Sequence, residues 1–413
     1  MPRLSDLPFF SLGFRPFFFG AALWTALAMA LWLLALSGAP VLPSTPPAPI
    51  WHAHASLFGF TGAAFAGFLL TAVPNWTGRR PLAGGPLALL AALWLAGRIA
   101  TLAWGRLPAG VVAAVELAFP PALAAWLLNE LVRARNWRNL PVAGGVIAWL
   151  AGDALFHAAL LRAGTPLGGV GVRLGLGGAI FLVAFIGGRI VPAFTRNWLS
   201  GRGKPLPAPP MAPFDRLALA VLVVALGIWA AGVPGAPSAL GLLAAAACHG
   251  WRLARWRGLA TLEEPLLTVL HVAYGFVPLG ALALAVAELR PVWGLFTAAE
   301  HLWLAGGVGL MALAVMTRAS LGHTGRPLTA DGTTAFLYAL VAAAALLRAA
   351  TPAGVGLLWA GLAWIAAWGG FLLRYGPILW GPRADLTPTP PPTSPAPKPS
   401  APPATPGRGE NGG

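Results

Sequence analysis

The sequence predicts an all-α, polytopic membrane protein, and three features carry that prediction. Of its 413 residues, 57% are hydrophobic and only 9% are charged, against about 25% charged in a water-soluble domain. The apolar residues fall in runs of about 20, the length of one helix across a bilayer core, separated by Pro/Gly-rich joints. A phrase also recurs at the end of such a run: VPNWTGRRPL at 73–82, VPAFTRNWLSGRGKPL at 191–206 and VMTRASLGHTGRPL at 315–328. The copies lie about 120 residues apart, roughly four membrane helices. About twelve transmembrane helices in three four-helix repeats are therefore expected.

In chain order, residues 1–15 (MPRLSDLPFFSLGFR) read as an aromatic, amphipathic lead-in at the membrane surface. This lead-in is short and no small-residue cleavage site follows the first apolar run, so that run is expected to be a retained helix. The transmembrane domain spans 16–382, with helices near 16–37, 51–73, 84–104, 108–129, 140–162, 169–192, 214–232, 236–256, 265–287, 294–317, 332–350 and 354–376. The second is expected to stop at Pro74, a helix breaker followed by Trp76 and a basic pair that suit a water interface. Residues 383–413 turn to Pro, Ser, Thr and Ala. Such a tail cannot bury apolar area and is expected to be disordered, available to a cytoplasmic partner.

The net charge of +15 does not point to nucleic acid, because the arginines sit in short loops and not on one soluble face. The N-terminal side and every second loop hold most of them, including Arg3, Arg79, Arg80, Arg133, Arg135, Arg138, Arg196, Arg202 and Arg318. The alternate loops hold Arg106, Arg162, Arg290 and Arg348. Both termini, and all three copies of the phrase, are therefore expected on the cytoplasmic side. The single cysteine, Cys248, excludes an intrachain disulfide and a multi-cysteine metal cluster, and the lack of CxxCH excludes covalent c-type haem.

Ionisable groups inside a bilayer are costly, so each is a functional candidate. The apolar spans contain Arg98, Glu116, Asp153, His157, Arg173, Arg189, His249, His271, Glu300 and His301. His52 and His54 lie at the outer mouth of the second helix, and His323 lies in the loop after the tenth. His52 and His54 diverge by about 200° around a helix and cannot serve one site together, so His54 is expected to face inward. Asp153 and His157, four apart, share a face. They read either as a carboxylate orienting an imidazole or as a buried pair bracing two helices. Neutral imidazoles suit haem iron or copper. His54 with His301 is the expected axial pair, with His271 and His157 next. Arg98 is the deepest of the arginines able to pair a haem propionate or an anion.

Several stretches are similar to one family. GFRPFF (13–18), WHAH…LFGF (51–60), GFLLTAVPNWTG (67–78), LFHAAL (155–160), GGRIVPAFTRNWL (187–199), EPLLTVLH (264–271) and AVMTRASLGHTGRPL (314–328) resemble the NnrS family, over nearly the whole chain except the Pro-rich tail. The resemblance implies a bacterial inner-membrane protein associated with haem and copper, nitric oxide metabolism, denitrification and resistance to nitrosative stress. It carries over His52, His54, His157, His271, His301 and His323 as motif histidines, with His54, His301, His271 and His323 as metal candidates. The family's first motif usually has Glu after its second histidine, and this chain has Ala55. Asp153 and Glu300 substitute for that carboxylate only if they reach the same site. A second likeness is architectural: twelve helices with histidines on the second and tenth resemble the large subunit of haem-copper oxidases and nitric oxide reductases, where those histidines ligate haem. This chain has no histidine on its sixth or seventh helix, where that family's copper ligands arise. Together these readings lead to a haem- and copper-binding membrane protein that binds nitric oxide or a related small molecule. The alternative is a cofactor-free transporter or channel for a small anion or metal.

Overall fold

The computed structural model describes residues 4–292, 294–351 and 354–384; the expected disordered tail lies, from residue 385 on, outside the described residues. In chain order the helices are α1 (Phe14–Leu36), α2 (Ala48–Thr77), α3 (Gly84–Leu102), α4 (Ala109–Arg133), α5 (Leu140–Leu161) and α6 (Val170–Ser200). They continue with α7 (Pro213–Ala230), α8 (Ala236–Ala254), α9 (Pro265–Leu289), α10 (Leu295–Gly322), α11 (Gly332–Ala350) and α12 (Val355–Trp380). No strand occurs among the described residues. This is the solution that lipid allows, since a helix satisfies its own backbone where no water can. Eleven of the helices are long and apolar enough to cross a membrane. The exception is α8, whose 19 residues include buried His249 and Arg252. The chain nevertheless returns to the face it started from. Arg15 at the start of α1 donates to the carbonyls of Leu379 (3.0 Å) and Gly381 (2.6 Å) at the end of α12, and Phe9 of the lead-in stacks on Trp380.

The second helix of each four-helix unit is an inner helix. Burial covers 72%, 72% and 67% of the apolar windows of α2, α6 and α10, against 33–44% for most of the others. These three meet at a small apolar cavity lined by Ala64, Val183 and Met311, among others. Toward the end that carries the recurring phrase the gap widens to about 360 Å³ between Phe68, Trp76, Phe194, Arg318 and His323.

Each inner helix also contains one π segment: Ala55–Phe60 in α2, Val183–Gly187 in α6 and Leu302–Gly309 in α10. A π turn breaks the regular i→i−4 ladder and leaves carbonyls in need of donors. In α2 three indoles from three different helices supply them. Trp24 of α1 donates to Ala55, Trp149 of α5 to Leu57 and Trp94 of α3 to Gly59, all at 2.9–3.0 Å. In α6 the donor is Arg252 of α8, which reaches the carbonyls of Ala184 (3.0 Å) and Gly188 (3.4 Å) while pairing with Asp215 (3.0 Å).

Several boundaries differ from the sequence reading, and α6 and α10 run to Ser200 and Gly322, past the expected ends at 192 and 317. Pro74 does not end α2, which runs on to Thr77 and is capped by Gly78 at φ +67. A proline near a helix end forfeits only one bond of the ladder, and the neighbouring Asn75 side chain adds a bond to the Thr71 carbonyl. Helix α4 is not continuous, because Leu117–Ala118 interrupts it ahead of Pro120 and Pro121. Glu116 therefore sits at the end of its first half.

Helices α5 and α6 touch backbone to backbone. A Cβ on Gly152 would lie 2.4 Å from the Gly175 nitrogen and 2.6 Å from the Gly171 carbonyl oxygen, whereas Gly144 on the same helix faces open space. Small residues are what permit such an approach. Gly152→Ala is expected to lower stability by about 1–3 kcal/mol through overpacking, while Gly144→Ala raises it by up to about 1 kcal/mol through helix propensity. Unfolding midpoints of the two variants in detergent check the opposite signs.

Candidate functional site

The histidines expected to form one pair lie in two separate sites. His54 is the residue just before the π segment of α2, fully buried, and faces α4 and α5. The spacing of four residues that puts Trp149, Asp153 and His157 on one face of α5 does the rest. Trp149 is anchored on the α2 backbone, so Asp153 and His157 are delivered to the same wall. His54 Nε2 lies 3.1 Å from Asp153 Oδ1 and 3.8 Å from Glu116 Oε1. His157 Nε2 lies 3.7 Å from Asp153 Oδ1, and the two imidazole rings are 5.0 Å apart at 72°. One ligand atom each from His54, Asp153 and His157 fall within 4.8 Å of one another. Trp104, Phe58 and Phe156 close around the cluster.

Arg98 completes this site. Trp94, one turn earlier on α3, is held by the Gly59 carbonyl, and Arg98 pairs closely with Glu116. Glycine is required at 59, because a Cβ there would lie 2.6 Å from the Trp24 indole nitrogen and collide with Arg98. Asp153 and Glu116 thus supply carboxylates to His54 where Ala55 does not. Sequence spacing had joined Asp153 to His157 alone. Its hydrogen bond goes instead to His54, a partner 99 residues away that no local pattern shows.

The other site faces α1, α11 and α12. His52 and His301 lie with ring centres 6.4 Å apart and ring planes within 15°. The expected partner of His301 was His54; the structure brings it to His52, because the two residues diverge around α2 and only His52 faces α10. His301 Nδ1 donates to the Thr297 carbonyl at 2.7 Å, which leaves its Nε2 as the nitrogen with a lone pair. Trp32 stacks on His52 at 4.6 Å. A cavity of about 40 Å³ opens beside the pair, lined by Met29, Leu33, Arg348, Leu357, Gly361 and Trp364, among others. Arg348 Nη1 is buried without a hydrogen-bond partner. Sequence reasoning placed Arg348 in an outer loop and missed it. The signal was present, since it ends a helix on the same side as His52 and His301.

The remaining candidates are elsewhere. His271 donates through Nε2 to Thr195, whose hydroxyl donates to the Val191 carbonyl, so it braces α9 on α6. His249 is bonded at both nitrogens, to Tyr274 and to the Ala218 carbonyl. His323 caps α10 and packs against Phe14. Burial and nearby Arg383 hold its pKa below the ordinary histidine range. Arg173 donates to the Trp229 carbonyl and Arg189 to Asn139.

The Arg98–Glu116 pair is buried on both sides, so removing one partner strands the other charge. Arg98→Met is expected to cost about 3–5 kcal/mol, and Arg98→Met with Glu116→Leu to recover most of it. Thermal unfolding of both variants in detergent measures the difference.

Among comparisons with known proteins, the family described as NnrS protein matches residues 8–383. No curated protein matches the chain.

Proposed function

The chain belongs to the NnrS family, and on that premise we propose that it is a haem-binding bacterial inner-membrane protein of nitric oxide metabolism in which His52 and His301 hold the iron. Family membership supports a nitric oxide-related role. The observation that supports the haem reading is the 6.4 Å spacing of the two ring centres. Metal–imidazole bonds of about 2 Å on either side of one ion place two ring centres about 6 Å apart. The tautomer supports it too, since the Thr297 carbonyl occupies Nδ1 of His301 and frees Nε2. The buried, unpartnered Arg348 Nη1 suits a propionate. The enclosed space is small, so a macrocycle requires Trp32 to swing off His52.

His52 and His301 are the residues that would hold a haem here, and such a group would supply electron storage and transfer. The chain's part is to present two neutral ring nitrogens, balance the propionate charge with Arg348, and exclude water with Met29, Leu33 and Trp364. Both termini face the cytoplasm in this reading, as the basic loops favour, and the proline-rich tail is then available to a cytoplasmic partner. Resistance to nitrosative stress and a link to denitrification follow as physiological roles. The transporter reading is less favoured, because Arg98, the cation a buried anion path would use, already pairs with Glu116.

The test is the visible spectrum of the full-length protein purified in detergent. A Soret band is expected in the wild type and in His54→Ala, with most of it lost in His52→Ala and His301→Ala. A band that survives both losses but disappears in His54→Ala would overturn the assignment.

A further inference from the structure

We propose that the cavity between α2, α6 and α10, at the end that carries the recurring phrase, binds an organic monocarboxylate with a planar apolar body, held by Arg318. The cavity measures about 360 Å³, within the span of small-molecule sites, about 300–1,000 Å³. The rings of Phe18, Phe68, Trp76 and Phe194 line it. Among the described residues Arg318 is the only permanent cation on its wall, and no carboxylate joins it there. His323, with its pKa below the ordinary histidine range, adds no charge at neutral pH. Ring walls suit a flat apolar body, and a lone guanidinium suits a carboxylate, which it can grip through two parallel N–H bonds.

The internal repeat sets this cation apart. Thr77, Thr195 and Thr317 occupy equivalent places, each donating to the carbonyl four residues earlier, at Val73, Val191 and Leu313. The residue after each threonine differs in what it does. Gly78 caps α2, and Arg196 donates to the Pro207 carbonyl. Arg318 makes no hydrogen bond among the described residues and lies over the Phe194 ring, 4.1 Å from its centre. The carboxylate that acts on it electrostatically, Glu264, is engaged by the backbone amides of Leu266 and Ala330. Beside it, Thr71 and Asn75 already donate to carbonyls of α2. A guanidinium on a membrane helix with its donors unused is costly, and the surrounding rings offer ordered water few partners. An anion with an apolar body matches the walls and the charge together. Toward the other end the gap narrows to the apolar cavity at Ala64, Val183 and Met311, which no charged group lines. The anion is therefore bound at one end and not passed across. His52 and His301 do not line this cavity, so the site stands or falls independently of the haem.

Equilibrium dialysis of the full-length protein in detergent against radiolabelled naphthoate tests it. Protein-free micelles serve as the blank, and radiolabelled octanoate in a parallel arm represents acyl chains. Saturable binding of about one naphthoate per chain is expected in the wild type. Affinity is expected to fall at least tenfold in Arg318→Gln, to recover in part in Arg318→Lys and to stay unchanged in Arg196→Gln. Uncharged naphthamide is expected to displace the label at least tenfold less well than naphthoate, which tests the charge in wild-type protein even if the Arg318 variants misfold. Size-exclusion chromatography checks that each variant is folded. Wild-type binding no greater than the micelle blank overturns the proposal. Naphthamide as effective as naphthoate, octanoate bound more tightly than naphthoate, or undiminished affinity in folded Arg318→Gln each overturns it as well.

Discussion

Backbone carbonyls released inside lipid must find donors, and that requirement organises this structure. Each inner helix widens into a π segment in a buried part of the bundle, where water is not available to satisfy the opened ladder. Around α2 the donors are the indoles of Trp24, Trp94 and Trp149, and around α6 the guanidinium of Arg252. Each of these bonds also fixes the rotation of the helix that carries the donor. The anchor at Trp149 sets the face of α5 that holds Asp153 and His157, and the anchor at Trp94 sets the face of α3 that holds Arg98. Functional side chains are thus aimed by bonds that exist first to satisfy the backbone.

Just ahead of the α2 π segment, ordinary helical pitch turns two histidines to different neighbours. His52 and His54 precede the π segment of α2 and point to opposite sides. One meets His301 near α11 and α12, and the other meets Asp153 of α5 and Glu116 of α4. A single two-residue motif thereby contributes to two separate side-chain clusters. The three π segments also express the internal repeat in three dimensions. They occur in the second helix of each four-helix unit, and His54 and His301 each stand immediately before one. The middle unit has Leu182 at that place, and its buried Asp215 and Arg252 pair with each other and reach Tyr274 of α9 instead.

At three places in the bundle charge is handled by pairing at close range. Arg98 with Glu116, Arg252 with Asp215 and Arg15 with the carbonyls at the end of α12 are each nearly fully buried. In a medium of low dielectric such pairs contribute less to net stability than to specificity, because a helix that rotates or slips leaves a charge uncompensated. The exposed pair of Arg374 with Asp331 has no comparable consequence.

Sequence alone determined the class of fold, the repeat and the helix order, because hydropathy and helix length are local quantities that lipid enforces strongly. It also determined which residues are chemically costly where they stand, and that His52 and His54 diverge, which is a matter of helical pitch. Tertiary structure decided which costly residues meet. Asp153 turns to His54 and not to its own helical neighbour, His301 turns to His52, and Arg98 turns to Glu116, each choice resting on rotations set by contacts far apart in the chain. The π segments were likewise invisible locally, since WHAHASLFGF has no residue that cannot continue an α-helix. In α2 and α6 donors from neighbouring helices meet the wider turn, and those donors are assembled by the fold.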